Sequence, residues 1–154
     1  MKNLYDIDVD IDDNLRAQVT SKFDRLSEGP KQIIQYAATV GSTPDLDLMI
    51  DIFFHHNVRK YTGRKKSAIP NGKGPVIDPS LESAPIVLDE TQRGTVRPTV
   101  ILALRELVAS GFFDLRRPED FTSLIWRDQD MRIIIYHMQL HSQRNKIHTF
   151  VVKW

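Results

Sequence analysis

The apolar positions of this chain follow two patterns. Between Asp13 and about Tyr61 they recur at helical spacing, whereas beyond Gly111 they crowd into β-branched and aromatic runs. Leu15, Val19, Phe23 and Leu26 form the buried stripe of a helix capped by Asp13 or Asn14 and running to about Leu26. Ser27-Glu28-Gly29-Pro30 is a break, and Pro30 opens a second helix. That helix carries Ile33, Ile34, Ala37 and Val40 and ends at Gly41. Thr43-Pro44-Asp45 supplies a cap, a proline and a first-turn acid for a third helix. Leu46, Met49, Ile50, Phe53, Phe54 and Val58 form its apolar face, and it runs to about Tyr61.

The stretch from Gly94 to Phe113, GTVRPTVILALRELVASGFF, reads as one more helix. Pro98 suits a first turn, where its missing N–H would be unpaired anyway. Val100, Ile101, Leu104, Leu107 and Val108 make the stripe. Gly111 can take the left-handed conformation that stops a helix, and Phe112 can fold back on the last turn. Elsewhere the period shortens. Asp6 to Ile11 alternates acid and apolar residues, as an edge strand or an acidic arm would, and Ile86 to Leu88 reads as a short strand. Phe121 to Arg127, Met131 to Ser142 and Ile147 to Trp154 favour strands by residue type. The first of these is a strand or a short helix opened by Pro118. The other two pair as a hairpin turning near Arg144-Asn145-Lys146. In that register Tyr136, Met138, Leu140, Phe150, Val152 and Trp154 face the core, and His137, Gln139, His141, Thr149 and Lys153 share the other face. The expected fold class is α+β, with N-terminal helices, a long loop at about 62–85, then a helix and a C-terminal antiparallel sheet, all in a single domain spanning 1–154.

Charge changes this picture. The net charge is +1, but it is unevenly spread. Asp6, Asp8, Asp10, Asp12 and Asp13 crowd one end. Arg59, Lys60, Arg64, Lys65, Lys66 and Lys73 crowd the middle. The loop that carries most of these bases also holds Gly63, Gly72 and Gly74, which let a backbone approach a phosphate closely. A loop this long inside a compact domain is usually functional or disordered. Its bases suit the neutralisation of several phosphates, and a solvated charge run is the bland alternative. GKG lacks the remaining residues of a phosphate-binding P-loop. Asp6, Asp8 and Asp10 open like a calcium loop, but Ile11 and Ala17 stand where its glycine and glutamate belong.

There is no cysteine, which excludes disulfides, cysteine nucleophiles and thiolate zinc sites. No apolar run is long enough to span a membrane, and MKNLYDIDVD has acids where an export signal needs bases. A cytoplasmic, reducing location and no membrane partner are the expectation. No small-molecule cofactor and no metal site are implied.

The pattern Thr-Val-x-x-Ala-Leu-x-x-Leu-Val-x-x-Gly-Phe, from Thr99 to Phe112, resembles the recognition helix of winged helix-turn-helix DNA-binding proteins. The resemblance implies that the helix lies in a major groove and that a following β-hairpin forms the wing. It implies a regulatory or replication role with DNA or RNA as partner. Arg93, Arg97 and Arg105 would then be the groove or phosphate contacts, with Arg116 and Arg117 beyond the helix. Arg64, Lys65, Lys66 and Lys73 would be the clamp from the loop. A buried core helix is the competing reading, because Val100, Ile101, Leu102, Leu104, Leu107 and Val108 cover most of the circumference.

Two further classes stay open. His137, His141 and Lys153, on one sheet face, are the side chains of a metal-independent ribonuclease: a base, an acid and a cation for the phosphorane. Strand residues four apart are roughly thirteen ångströms apart, which is long for shared work on one phosphate. His55 and His56 are adjacent on a helix and make a poor metal pair. The third class is an assembly or inhibitor protein, whose protein partner or second copy would meet an exposed sheet edge and the Phe53, Phe54 pair.

Overall fold

The computed structural model describes residues 11–62 and 88–153. The N-terminal helices stand close to where their caps and stripes place them. Asp12, rather than Asp13 or Asn14, caps α1 (Asp13–Asp24), its carboxylate accepting from the Asn14 N–H at 3.0 Å. Helix α2 (Glu28–Val40) begins two residues before Pro30 and stops at Gly41, whose φ is +139°. In α3 (Leu46–Thr62) the Asp45 carboxylate accepts from the Leu48 N–H at 2.8 Å, so the acid, not Thr43, is the working cap.

Helix α2 is the hub. Helices α3 and α4 (Glu90–Ala109), and also α5 (Gln129–Met138) and α6 (His141–Lys153), all pack against it, while α1 packs on α5. Its burial therefore exceeds one stripe. Tyr36, Ala38 and Thr39 are enclosed along with Ile33, Ile34 and Ala37, and the two alanines allow close approach from opposite sides.

Helix α4 corrects one expectation. It starts at Glu90, several residues before Pro98, because Asp89 and Gln92 form a reciprocal capping box. Pro98 thus lies inside the helix. The site tolerates it because Pro98 and Gly94, the residue one turn earlier, both face solvent, where water can satisfy the carbonyl that loses its N–H partner. The end is as expected. Gly111 has φ +81°, its N–H donates to the Val108 carbonyl, and the Phe112 N–H donates to the Leu107 carbonyl. This is a Schellman closure, and Phe112 is fully buried beneath it.

The C-terminal hairpin is overturned. Met131 to Ser142 and Ile147 to Trp154 are not strands but the regions of α5 and α6, joined at Gln139 and Leu140. The Asp128 carboxylate caps α5 by accepting from the Asp130 N–H at 2.8 Å, and Met131, Ile134 and Ile135 then fall on one buried face at helical spacing. Tertiary burial outweighs the strand preference of the isoleucines. The predicted faces dissolve with the strands: Met138, Leu140 and Val152 are exposed, whereas Gln139 is buried. Gln139 is fully engaged, accepting from the Thr39 hydroxyl at 3.2 Å and donating to the Gln35 carbonyl at 3.0 Å. It locks the α5–α6 corner onto α2.

The sheet is smaller and lies earlier. Strand β1 (Phe113–Leu115) pairs antiparallel with β2 (Leu124–Trp126), Asp114 opposite Ile125. A short 3₁₀ turn, Phe121–Ser123, leads into β2. Phe113 packs on Trp126, whose indole N–H donates to the Gly41 carbonyl at 3.2 Å. The architecture is mostly helical with a small antiparallel sheet, within the α+β class. Leu88 is buried but not in a strand. The expectations for the acidic arm before Ile11, for the loop beyond Thr62 and for Ile86 and Val87 of the first short strand lie outside the described residues.

Candidate nucleic-acid interface

The arginines expected on the recognition helix divide into inward and outward. Arg93 points at α3. Its guanidinium donates to both carboxylate oxygens of Asp51, at 3.1 and 2.9 Å, in the two-pronged geometry that suits this pair. The Asp51 side chain is 2% exposed and that of Arg93 is 26% exposed. The carboxylate holds the Arg93 guanidinium above its ordinary pKa, chiefly through these hydrogen bonds. Asp51 gave no signal in the sequence, since it interrupts an apolar stripe as any surface acid might. Arg97 lies 3.9 Å from Asp47, a looser and solvent-exposed pair. Arg105 is exposed, with its guanidinium 6.0 Å from the centre of the Phe121 ring.

The acid of α4 is also engaged inward. Glu106 accepts from the Ser27 N–H at 3.2 Å and from the Ser27 hydroxyl at 3.0 Å. One helix thereby caps the start of another. What α4 turns outward is largely Thr91, Gly94, Thr95, Pro98, Thr99, Leu102 and Ala109, with Arg105 and the Asp47-paired Arg97 as its exposed cations. Leu102 there is 69% exposed.

The C-terminal helices differ. From Met131 to Trp154 the chain contains no acid but carries Arg132, Arg144, Lys146, Lys153 and three histidines. Ile147 and Phe150 turn α6 inward, which leaves His141, Ser142, Asn145, Lys146, Thr149 and Lys153 exposed. Lys146 lies toward α3, near enough to His56 to disfavour its protonation. Arg144 stacks 4.8 Å over the Tyr136 ring, a cation–π contact between α6 and α5. Arg132 reaches the Ala38 carbonyl at the end of α2, where a cation complements the helix dipole.

Histidines line the seams of this face. His148 shares a hydrogen bond with the Tyr136 hydroxyl at 3.2 Å, and burial, then Arg144, lowers its pKa. His56 stacks on Tyr36, with ring centres 5.2 Å apart, and donates from Nδ1 to the Ile52 carbonyl at 3.0 Å. Its pKa is lowered mainly by burial, and His55, set against Phe150, is lowered by burial and then by His56. All three are thereby held toward the neutral form. Among the described residues no group of three or more histidines and acids is arranged to hold a metal.

The ribonuclease trio loses its shared sheet face. His137 stands on α5, while His141 and Lys153 are the first and last residues of α6. Helical rise separates those two by about 18 Å along the axis, too far to act on one phosphate. The protein-contact surface also changes, because Phe53 and Phe54 are buried, each 4% exposed, in the α3 core face. Arg64, Lys65, Lys66 and Lys73 lie outside the described residues. No described helix is long and apolar enough to cross a membrane. No family model, curated protein or solved structure matches this chain.

Proposed function

We propose that the protein binds nucleic acid without catalysis, in a regulatory or replication role, by gripping the phosphate backbone with its α5–α6 face. The observation that carries this reading is the absence of any acid from Met131 to Trp154, on two helices packed together against α2. On α4, by contrast, Arg93 and Arg97 stand against carboxylates of α3. The α5–α6 segment itself supplies none, so its positive charge is not offset along the chain, and a surface of one sign is what phosphate contacts require. Helix α3, against which α6 also packs, leads directly into the basic segment of Arg64, Lys65, Lys66 and Lys73, which adds charge next in sequence. Helix α4 is the lesser candidate for a groove element, since Arg93 and Arg97 have carboxylate partners.

Titration of labelled duplex and single-stranded DNA and RNA, followed by anisotropy at several salt concentrations, tests this. Affinity should fall steeply with salt. Lys146→Glu should weaken binding and reduce the slope of log affinity against log salt by roughly one. An absence of binding at low salt would remove the proposal. Binding indifferent to Lys146→Glu would move the interface off α6.

A further inference from the structure

The hairpin between β1 and β2 has a cleft beside it that the proposed function leaves unused. Its volume is about 480 Å³, within the range of small-ligand pockets. The walls come from two places. One is the hairpin turn, with Arg116, Arg117, Thr122 and Ser123, and the other is the α2–α3 connection, with Thr43 and Asp45. Pro44, Leu124 and Ile125 supply an apolar floor.

The backbone of the turn is pinned. The Arg116 N–H donates to the Ser123 carbonyl, the Arg117 N–H to the Ser123 hydroxyl, and the Asp120 N–H to the Arg117 carbonyl. Pro118 follows, then Glu119 with φ +61°, the signature of a type II turn with an unusual third residue. A non-glycine residue held there is strained, and such strain persists only where the surroundings impose the shape. The guanidinium groups at this fixed base have no hydrogen-bond or ion-pair partner among the described residues.

The two carboxylates of the cleft take their hydrogen bonds from other groups, although Arg117 stands near enough to Asp120 to help lower its pKa. The Asp45 carboxylate is turned onto the Leu48 N–H, and the Asp120 carboxylate onto the N–H and hydroxyl of Thr122. The acids are thus held mainly by hydrogen bonds from other groups, and only Arg117 adds a charge interaction, with Asp120. Adjacent guanidiniums on a rigid base, with no hydrogen bond holding their N–H groups, are the donor set that a tetrahedral dianion accepts.

We propose that this cleft is a binding site for the phosphoryl group of a small phosphomonoester, held by Arg116 and Arg117, with the body of the ligand on Pro44, Leu124 and Ile125. The site is separate from the α5–α6 face and does not depend on it.

Thermal melting of the full chain with inorganic phosphate and with adenosine monophosphate tests the proposal, since a ligand that binds only the folded state raises the melting temperature. The monophosphate should raise it more than phosphate does at equal concentration, because only the ester reaches the apolar floor. The double variant R116Q/R117Q should melt like wild type alone, since the turn is pinned by backbone groups, but lose the ligand-dependent shift, with affinity down about tenfold or more. Arg25→Gln, the same kind of charge loss at the end of α1, should keep the shift. A wild-type chain that neither ligand stabilises in the millimolar range overturns the proposal, and so does a shift that survives in R116Q/R117Q. Equal shifts from phosphate and the monophosphate would also overturn it, by reducing the site to one for the free anion. Lys146→Glu should weaken oligonucleotide binding and keep the phosphate response, so the two proposals fail independently. If R116Q/R117Q instead loses oligonucleotide binding with no change toward the monophosphate, the cleft takes a backbone phosphate and the small-ligand site is refuted.

Discussion

Helices α4 and α6 each carry cations on their outer turns, yet they use them differently. On α4, Arg93 is docked on buried Asp51 and Arg97 on Asp47, so the basic residues of the helix act largely within the fold. On α6, Lys146 has no acid in its own segment to meet, and the charge stays at the surface. The difference teaches that a count of arginines along a helix says little about its binding. What matters is where the carboxylates of its neighbours lie. The helix with the more suggestive sequence is the more internal one.

The largest expected effect separates the two helices by stability. Leu104→Ala, which empties a fully buried site on α4, should cost about 2–5 kcal/mol. Arg93→Ala should cost about 3 kcal/mol, the low end for removing one partner of a buried pair, because water reaches part of the Arg93 side chain. Denaturant midpoints of the two variants are the measurement. An unchanged midpoint in Arg93→Ala would mean that its ion pair is not structural, and that Arg93 returns to the list of free surface cations. Lys146→Glu should move the midpoint little, as an exposed change does.

Binding gives the next contrast. Arg105→Glu on α4 should weaken oligonucleotide binding less than Lys146→Glu on α6. The reverse order would restore α4 as the groove element and with it the winged-helix docking.

Acidity sharpens the comparison further. His55, His56 and His148 sit in the seams of the α3–α6 side with pKa values below the ordinary 6.5. The unfolded chain therefore takes up protons first as the pH falls, so it is favoured in that window. Stability should be full above about pH 6.5 and decline below it, and the decline should flatten in His56→Gln. Asp114 and Asp120 are held below the ordinary carboxylate range, the first by Arg127 and the second by Thr122, so their contribution is lost only in more acid solution. Melting temperatures from pH 7.5 to 5 check this, and a flat profile would show that the histidines are protonated equally well in the fold.

The smallest effect concerns the hairpin turn. Glu119→Gly relieves a positive φ and should change stability by about 1 kcal/mol or less, toward greater stability, since glycine accepts that conformation but adds entropy to the unfolded chain. Urea midpoints would resolve it. Clear destabilisation would mean that the Glu119 side chain holds the turn.

Much of the first half of the fold was legible because its signals are local. Gly41 ends α2 and Gly111 ends α4 through hydrogen bonds within a few residues of each, and Asp45 was visible at the start of α3, though as a first-turn acid rather than as the cap. Apolar spacing named the inward faces of α1, α2 and α3 for the same reason. The candidate site was legible only as charge. Arg93, Arg97 and Arg105 were visible as bases, but their different fates depend on Asp51, Asp47 and Phe121, which lie far away in sequence.

Tertiary structure decided the remainder. The sequence from Met131 onward favours strands residue by residue, and only docking on α2, with Gln139 bonded to Gln35 and Thr39, makes two helices of it. Pro98 marked a helix start by local rule, but the Asp89–Gln92 capping box starts α4 earlier, and solvent beside Pro98 lets the helix run through it. Local geometry and short hydrogen bonds are properties of a segment, so the sequence by itself determined the stops and stripes and the approximate starts of the first three helices. Burial and ion pairing are properties of neighbours brought together by folding, so they determined which segments became helices, which cations were neutralised, and which were left at the surface.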